Sequence, residues 1–268
     1  MKVATRNLAT VSYYERVSAD TYRPTQHVQG AWNDHEQHMS PVAGLITHAI
    51  DGHEHNPAVQ LSRISFEILG LIPLADTTVT VETIRPGRTI ELIEATAIIE
   101  DRPRIRARAW RLAISDDVAE VAGVELPAMA AGPDGGEPYD ALEEWKGGFL
   151  ASIETVALPG GRPGRRQVWA RTPHPVVAEE QISDTAAAIS LVDLANGIAT
   201  RVRPTEMMFP NVDLTIHLLR QPQPPWVGLD TSVSFGTNGL GLTSTTLSDQ
   251  AGPFGRAEQA LTVRHFPR

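Results

Sequence analysis

The feature that most constrains this chain is that it repeats its own plan. A short helix-like run, PVAGLITHAI (41–50), is followed by four apolar strand-like runs: VQLSRISFEIL (59–69), TTVTVETI (77–84), TIELIEATAII (89–99) and RIRARAWRLA (104–113). A longer helix-like run, ISDTAAAISLVDLANGIA (182–199), has Ser183 or Asp184 placed as its cap. It too is followed by four runs: VDLTIHLL (212–219), WVGLDTSVSF (226–235), LGLTSTTLSD (240–249) and GRAEQALTVR (255–264). Sliding the chain by 150 positions sets Ser40 on Ser190, Val42 on Val192, Ala49 on Ala199, and RISFEIL (63–69) on DLTIHLL (213–219) without a gap. One offset that holds from helix into strand marks a duplication.

Between the copies, residues 115–147 are rich in Gly, Pro and acids and show no sustained period, which reads as a connection. The expected organisation is therefore 1–114 as an N-terminal unit, 115–147 as a linker, and 148–268 as a C-terminal unit.

The residue inventory narrows the chemistry. With no cysteine, the chain has no disulfide, thiolate nucleophile or thiolate metal site, leaving Ser, Thr, Asp, Glu or an activated water. A net charge of −9 at pH 7 speaks against a nucleic-acid groove, which needs concentrated basic surface. The local basic cluster Arg162, Arg165 and Arg166 sits in GRPGRR, which lacks the P-loop pattern and reads as a solvated loop. No GxSxG elbow occurs. No apolar run approaches the roughly 18–20 residues of a membrane span. The first residues, MKVATRNLATVSYYE, lack the apolar core of a signal peptide, so a cytoplasmic protein with no membrane partner is expected.

The octet WNDHEQHM (32–39) invites a metal, since His35 and His38 are three apart with Asp34 and Glu36 beside them. The other histidines do not supply a third and fourth ligand at any usual spacing, so neither a metal nor a cofactor is expected. The octet instead feeds the first helix, ending in HMSP where a helix N-terminus begins.

A helix lying across a curved antiparallel sheet, made twice, is the plan of the double hotdog fold: an α+β protein with two tandem curved antiparallel sheets, each wrapped around a central helix. The segments QHMSPVAGLITHAI, LSRISFEILGLIP, IRPGRTIELIEATAII, LVDLANGIA, NVDLTIHLLRQP and GRAEQALTVR resemble the acyl-CoA thioesterase II type of double-hotdog protein, particularly its actinobacterial branch. The resemblance spans nearly the whole chain apart from the linker. It implies hydrolysis of an acyl-CoA by an activated water, with acyl-CoA as the partner molecule.

The family's aspartate, hydroxyl residue and glutamine, carried over motif by motif, fall on Asp213 of NVDLTIHLL, Ser234 of WVGLDTSVSF and Gln259 of QALTVR. Thr231 or Ser232 replaces Ser234 if that strand is slipped. Under the 150-residue offset, Asp213 lands on Arg63 and Gln259 on Ala109, so a single centre on the second half is expected. Alternation puts Gln259 on the face of Ala257, Leu261 and Val263, whereas Asp213 sits opposite Leu214 and Ile216, where an ordinary exposed acid also belongs. The start of the first helix, near Pro41 to Gly44, is a source of oxyanion donors, and Gly44 allows either close substrate approach or tight helix packing. The resemblance makes His38 the ligand-facing residue of the octet. Asp193 and Asn196 of DLANG, polar within an apolar helix, are read as structural anchors. The rival readings are an acyl-thioester binding protein without turnover and a hotdog hydratase or dehydratase using a histidine such as His48 or His217. Two hotdogs in one chain satisfy the usual pairing and leave further association of copies open.

Overall fold

The computed structural model describes residues 11–115 and 117–266. The first half contains β1 (Tyr14–Arg16), β2 (Thr21–Pro24), α1 (Met39–Gly52), β3 (Val59–Ile68), β4 (Thr77–Arg85), β5 (Ile90–Ile99) and β6 (Arg102–Ala113). The second contains β7 (Glu137–Pro138), β8 (Glu154–Ala157), β9 (Arg165–Arg171), α2 (Asp184–Ile189), α3 (Ala195–Ile198), β10 (Asp213–Leu218), β11 (Val227–Phe235), β12 (Leu240–Asp249) and β13 (Gly252–Thr262). The strands follow from alternation. In β5, Glu91, Ile93, Ala95, Ala97 and Ile99 turn inward and the residues between them turn outward.

Instead of two tandem sheets, the described residues form one antiparallel sheet of thirteen strands, in the order β1-β2-β4-β5-β6-β3-β10-β13-β12-β11-β9-β8-β7. The cause lies at its centre. β3 and β10 would each present an open edge if the halves were separate, and they satisfy one another by pairing from Asp213–Glu67 to His217–Arg63. Ser65 and Thr215, which stand 150 positions apart, face each other in this ladder, so the duplication is related by a local two-fold through that pair. Outward from the seam the strand orders correspond: β3, β6, β5, β4 on one side and β10, β13, β12, β11 on the other. Ile64, Phe66, Leu214 and Ile216 are fully buried at the seam, and one hydrophobic core runs through both halves.

The two helical runs differ. α1 is continuous and is capped by His38, whose ring accepts a hydrogen bond from the Ser40 N–H. Pro41 sits in its first turn, where a missing N–H costs nothing. The second run, expected as one helix over 182–199, breaks instead. Ser183 caps α2, a 3-10 turn follows at Val192–Leu194, and α3 completes the run. At the break, the Ser190 hydroxyl donates back to the Ala187 carbonyl, a local bond that competes with helix continuation.

The connection between halves is structured against both. Its 3-10 turns occupy Ala119–Val121, Pro133–Gly135 and Asp140–Glu144, and β7 pairs with β8 at the sheet edge. Trp169 Nε1 donates to the Ala131 carbonyl, and Phe149 N–H donates to the Gln29 carbonyl in the first half. Gly147, at φ +119, and Gly148 let the chain lie directly on residues 26–30, since a Cβ on Gly148 would fall 1.9 Å from the Gln26 carbonyl oxygen.

Candidate active site

The octet loop is held from within by Gln37. Its buried amide accepts from the Tyr14 hydroxyl (2.7 Å) and donates to the Pro73 carbonyl (2.8 Å) and Thr77 Oγ1 (3.0 Å). Its backbone N–H donates to the Ile72 carbonyl. This fully satisfied amide fixes the next residue, His38, at the head of α1. The ring of His35, by contrast, is exposed and lies beside Asp34, so the two octet histidines do not converge on a common ligand position.

His38 faces Asp193, which stands in the 3-10 turn at the helix break and is 7% exposed. Asp193 Oδ1 accepts two side-chain amides, Asn211 Nδ2 at 2.8 Å and Gln259 Nε2 at 2.8 Å. Asn211 lies just before β10, and its Nδ2 also donates to the Asp213 carbonyl, while Gln259 projects inward from β13. The other carboxylate oxygen, Oδ2, is 3.8 Å from His38 Nδ1. That pair is not an ion pair. His38 Nδ1 accepts from Ser40 N–H and is therefore unprotonated, and burial pushes the imidazole down to about 3.

Burial acts in the opposite direction on Asp193, pushing its carboxyl up to about 7 against the pull of the Asn211 and Gln259 hydrogen bonds. The result is a carboxylate that takes up and releases a proton near neutrality, with one oxygen anchored and the other directed toward a neutral histidine. That is the protonation behaviour a general base needs.

The centre opens into a cleft of about 400 Å³ lined by His38, Asp193 and Asn211. Its walls are mainly apolar. Trp32 of the octet packs edge-on against Trp145 of the connecting segment (ring centroids 4.7 Å apart) and against Phe209 (5.3 Å). Leu71, Leu142, Leu150 and Met39 extend this surface. Such a cleft, apolar with few convergent polar groups, suits a largely hydrophobic ligand with one reactive polar group. Both halves and the connection between them contribute to it.

Of the residues expected from the sequence, Gln259 and His38 are brought to Asp193, and Asp213 and Ser234 are not. Asp213 Oδ1 is occupied by the Ala260 N–H across the β10–β13 ladder, and Asp213 pairs with Glu67 on the other side. Ser234 is an exposed residue of β11 opposite Leu242. Thr231, its slipped alternative, is buried and bonded to Thr245, and Ser232 meets the Ser244 carbonyl. Gly44 is buried in α1, where a Cβ would meet the Ser190 Cβ at 2.6 Å, so it permits the close contact of α1 with α2. Gly44→Ala is therefore expected to cost about 1–3 kcal/mol in chemical denaturation through overpacking and to leave substrate KM unchanged. A large KM change at unaltered stability would contradict this packing role.

From the sequence Asp193 reads as a structural anchor, and Asn211 does not stand out. The signal for Asp193 was an acid with no exposed face available in the apolar run ISLVDLANGIA. Asn211 carried none, because its role depends on the turn that places it beside Asp193.

No helix among the described residues is long and apolar enough to cross a membrane. Comparison with known proteins gave concordant results. Residues 28–112 match the acyl-CoA thioesterase N-terminal domain and residues 131–263 the acyl-CoA thioesterase C-terminal domain. A comparison with curated proteins gave no match. Among solved structures, a candidate thioesterase from Novosphingobium aromaticivorans aligns over 93% of this chain and 98% of its own, at 17% identity and a TM-score of 0.72. The acyl-CoA thioesterase II TesB2 of Mycobacterium marinum aligns over 94% and 95%, at 16% identity and a TM-score of 0.64. A conserved hot dog fold protein from Alicyclobacillus acidocaldarius aligns over 94% and 96%, at 12% identity and a TM-score of 0.73. At these identities the likeness speaks for a mixed α/β hotdog-type fold built on a large antiparallel sheet. With both domain matches in their expected order, the chain belongs to the two-domain acyl-CoA thioesterase family.

Proposed function

We propose that the protein hydrolyses acyl-CoA thioesters to the free acid and CoA, with Asp193 as general base. The observation that carries this reading is the two-sided environment of Asp193: one oxygen fixed by two amide donors, the other turned toward His38, and a proton affinity near neutrality. In this reading Asp193 Oδ2 takes the proton of a water as its oxygen adds to the thioester carbon. The C–S bond then breaks, and the proton passes to the departing CoA thiolate. Asn211 and Gln259 hold the carboxylate in place and oppose its protonation. The developing oxyanion is stabilised at the N-terminus of α1, where the first N–H groups have no partner within the helix and Met39 is the first residue. Met39 also lines the cleft, which supports that placement. The fold is read as two hotdog units, residues 1–114 and 148–268, fused edge to edge through β3 and β10.

The direct test is thiol release from a panel of acyl-CoAs of increasing chain length, followed alongside enoyl absorbance. Thiol release without enoyl formation is the expected result. Tight binding with no turnover at any length would favour a binding protein instead.

A further inference from the structure

Buried polar side-chain atoms are almost always hydrogen-bonded, so the exceptions are informative. Setting aside groups held in the ion pairs Arg111–Glu91 and Arg165–Asp230, the atoms without a hydrogen-bond partner among the described residues include Ser40 Oγ, Asn196 Oδ1, Thr243 Oγ1 and Gln259 Oε1. Three of these four belong to residues that neighbour Asp193 in sequence or in its hydrogen bonding. Gln259 donates to it, Asn196 follows it by three residues, and the Ser40 N–H is bonded to the His38 ring that faces it. Thr243 is the fourth. It neither bonds Asp193 nor lines the cleft, yet it is the directly opposed cross-strand partner of Gln259.

Opposed residues on neighbouring strands have Cβ atoms about 4.5–5.5 Å apart. Thr243 and Gln259 are 0% and 1% exposed on the inward face. One offers an unused hydroxyl donor and the other an unused carbonyl acceptor. A glutamine amide has nearly the same shape at its two ends, so packing alone does not decide which end meets Asp193. The ionised carboxylate favours the Nε2 end, and a bond made to Oε1 at the far end adds to that preference. With Nε2–H toward Asp193 Oδ1 the contact is favourable, whereas with Oε1 there the two oxygens oppose each other.

Resting on the reading of Asp193 as the base, we propose that Thr243 is a positioning residue. Its hydroxyl donates through one buried water to Gln259 Oε1 and thereby keeps the Gln259 N–H on Asp193. A single water with polar partners on two adjacent strands is a common element of protein interiors. Three groups meet the Asp193 carboxylate from separate parts of the chain: His38 from the head of α1, Asn211 from the segment before β10, and Gln259 from β13. The first is neutral and the second is tied to the Asp213 carbonyl. Gln259 is thus the partner whose far end is left to a further residue.

Thr243→Val removes the hydroxyl at nearly constant shape. The expected result is a rise of about one pH unit in the acid limb of kcat, a fall in kcat at pH 7 of about three- to tenfold, and KM within about twofold of the parent. Thr243→Ser should restore the parent values. Independently of turnover, the Asp193 carboxyl is titrated in substrate-free protein by difference infrared spectroscopy, with its band identified by its loss in Asp193→Asn. An upward shift in Thr243→Val, reversed in Thr243→Ser, supports the proposal even if Asp193→Asn retains turnover; that last result would overturn the catalytic reading alone. An unmoved Asp193 titration in folded Thr243→Val overturns the proposal whatever the rate does. Thr243→Ala, which also lacks the hydroxyl, is read in the same way should the valine variant fold poorly.

Discussion

Asp193→Asn is expected to lower acyl-CoA thiol release by about 10²–10⁴-fold, the usual contribution of a positioned general base. The substitution keeps the shape and removes only the capacity to take a proton. Asn211 and Gln259 can still donate to the remaining carbonyl oxygen, so the loss should fall on kcat with little change in KM. Asp213→Asn supplies the contrast. Its carboxylate is engaged by the Ala260 N–H on the outer side of the ladder, and a rate close to the parent is expected. If Asp213→Asn were the dead variant and Asp193→Asn the active one, the centre described here would be wrong.

The second large effect is on pH dependence, and it has two parts. Turnover requires ionised Asp193, so kcat should fall about tenfold per unit as pH drops below about 7, the value to which burial raises the carboxyl. His38, pushed down to about 3, adds no limb between pH 5 and 8. Stability moves the other way. Because the folded-state proton affinity of Asp193 is raised, folded protein retains a proton between about pH 4 and 7 that unfolded chain has lost. The stability contributed by that proton is complete below pH 4 and disappears as pH rises through about 7, a loss on the order of 4 kcal/mol. Asp193→Asn should therefore unfold at higher denaturant than the parent at pH 8, with the advantage shrinking toward pH 4. His38 has the opposite slope, since its folded-state affinity is depressed: the unfolded chain gains a proton below about 6.5 that the folded protein refuses until about 3. In the parent the two slopes largely cancel between pH 4 and 6.5. In Asp193→Asn only that of His38 remains, and the variant should lose stability steeply on acidification over that interval. Parallel denaturation midpoints for parent and variant from pH 5 to 9 would exclude this account.

The strands that build the core were legible because inward–outward alternation is a local property. β3, β4, β5, β11 and β12 fall within about a residue of the runs read from hydrophobicity. β1, β2, β7 and β8 are too short to show a period, and β9 (RRQVWAR) begins with three polar residues that mask its apolar end. The continuity of the sheet was not visible, since hydrophobic pattern does not tell which edge meets which. The site was legible in one residue of its acid–amide cluster, Gln259, because a single amide among Ala257, Leu261 and Val263 has no exposed position open to it. Asp193 stands out for the same reason, but its sequence context reads equally as anchoring of the helix. A helix drawn unbroken over 182–199 gives no sign that Ser190 interrupts it and turns Asp193 toward His38, which precedes it by 155 positions. Asp213 is singled out by the family resemblance, whereas alternation alone places it where an ordinary exposed acid also belongs.

The two-fold through Ser65 and Thr215 carries an evolutionary consequence. Across that axis the counterparts of Asp193, Asn211, Gln259 and His38 are Ala43, Leu61, Ala109 and Ala188, and all four are buried. A homodimer must build both of its symmetry-related centres from one sequence, so every unsatisfied hydroxyl or reluctant carboxylate is incurred twice. Fusion into one chain released that constraint and permitted a division of labour. One half keeps the energetically awkward polar cluster, while its twin fills the corresponding positions with apolar side chains, three of them alanine, and serves as ballast for the shared core.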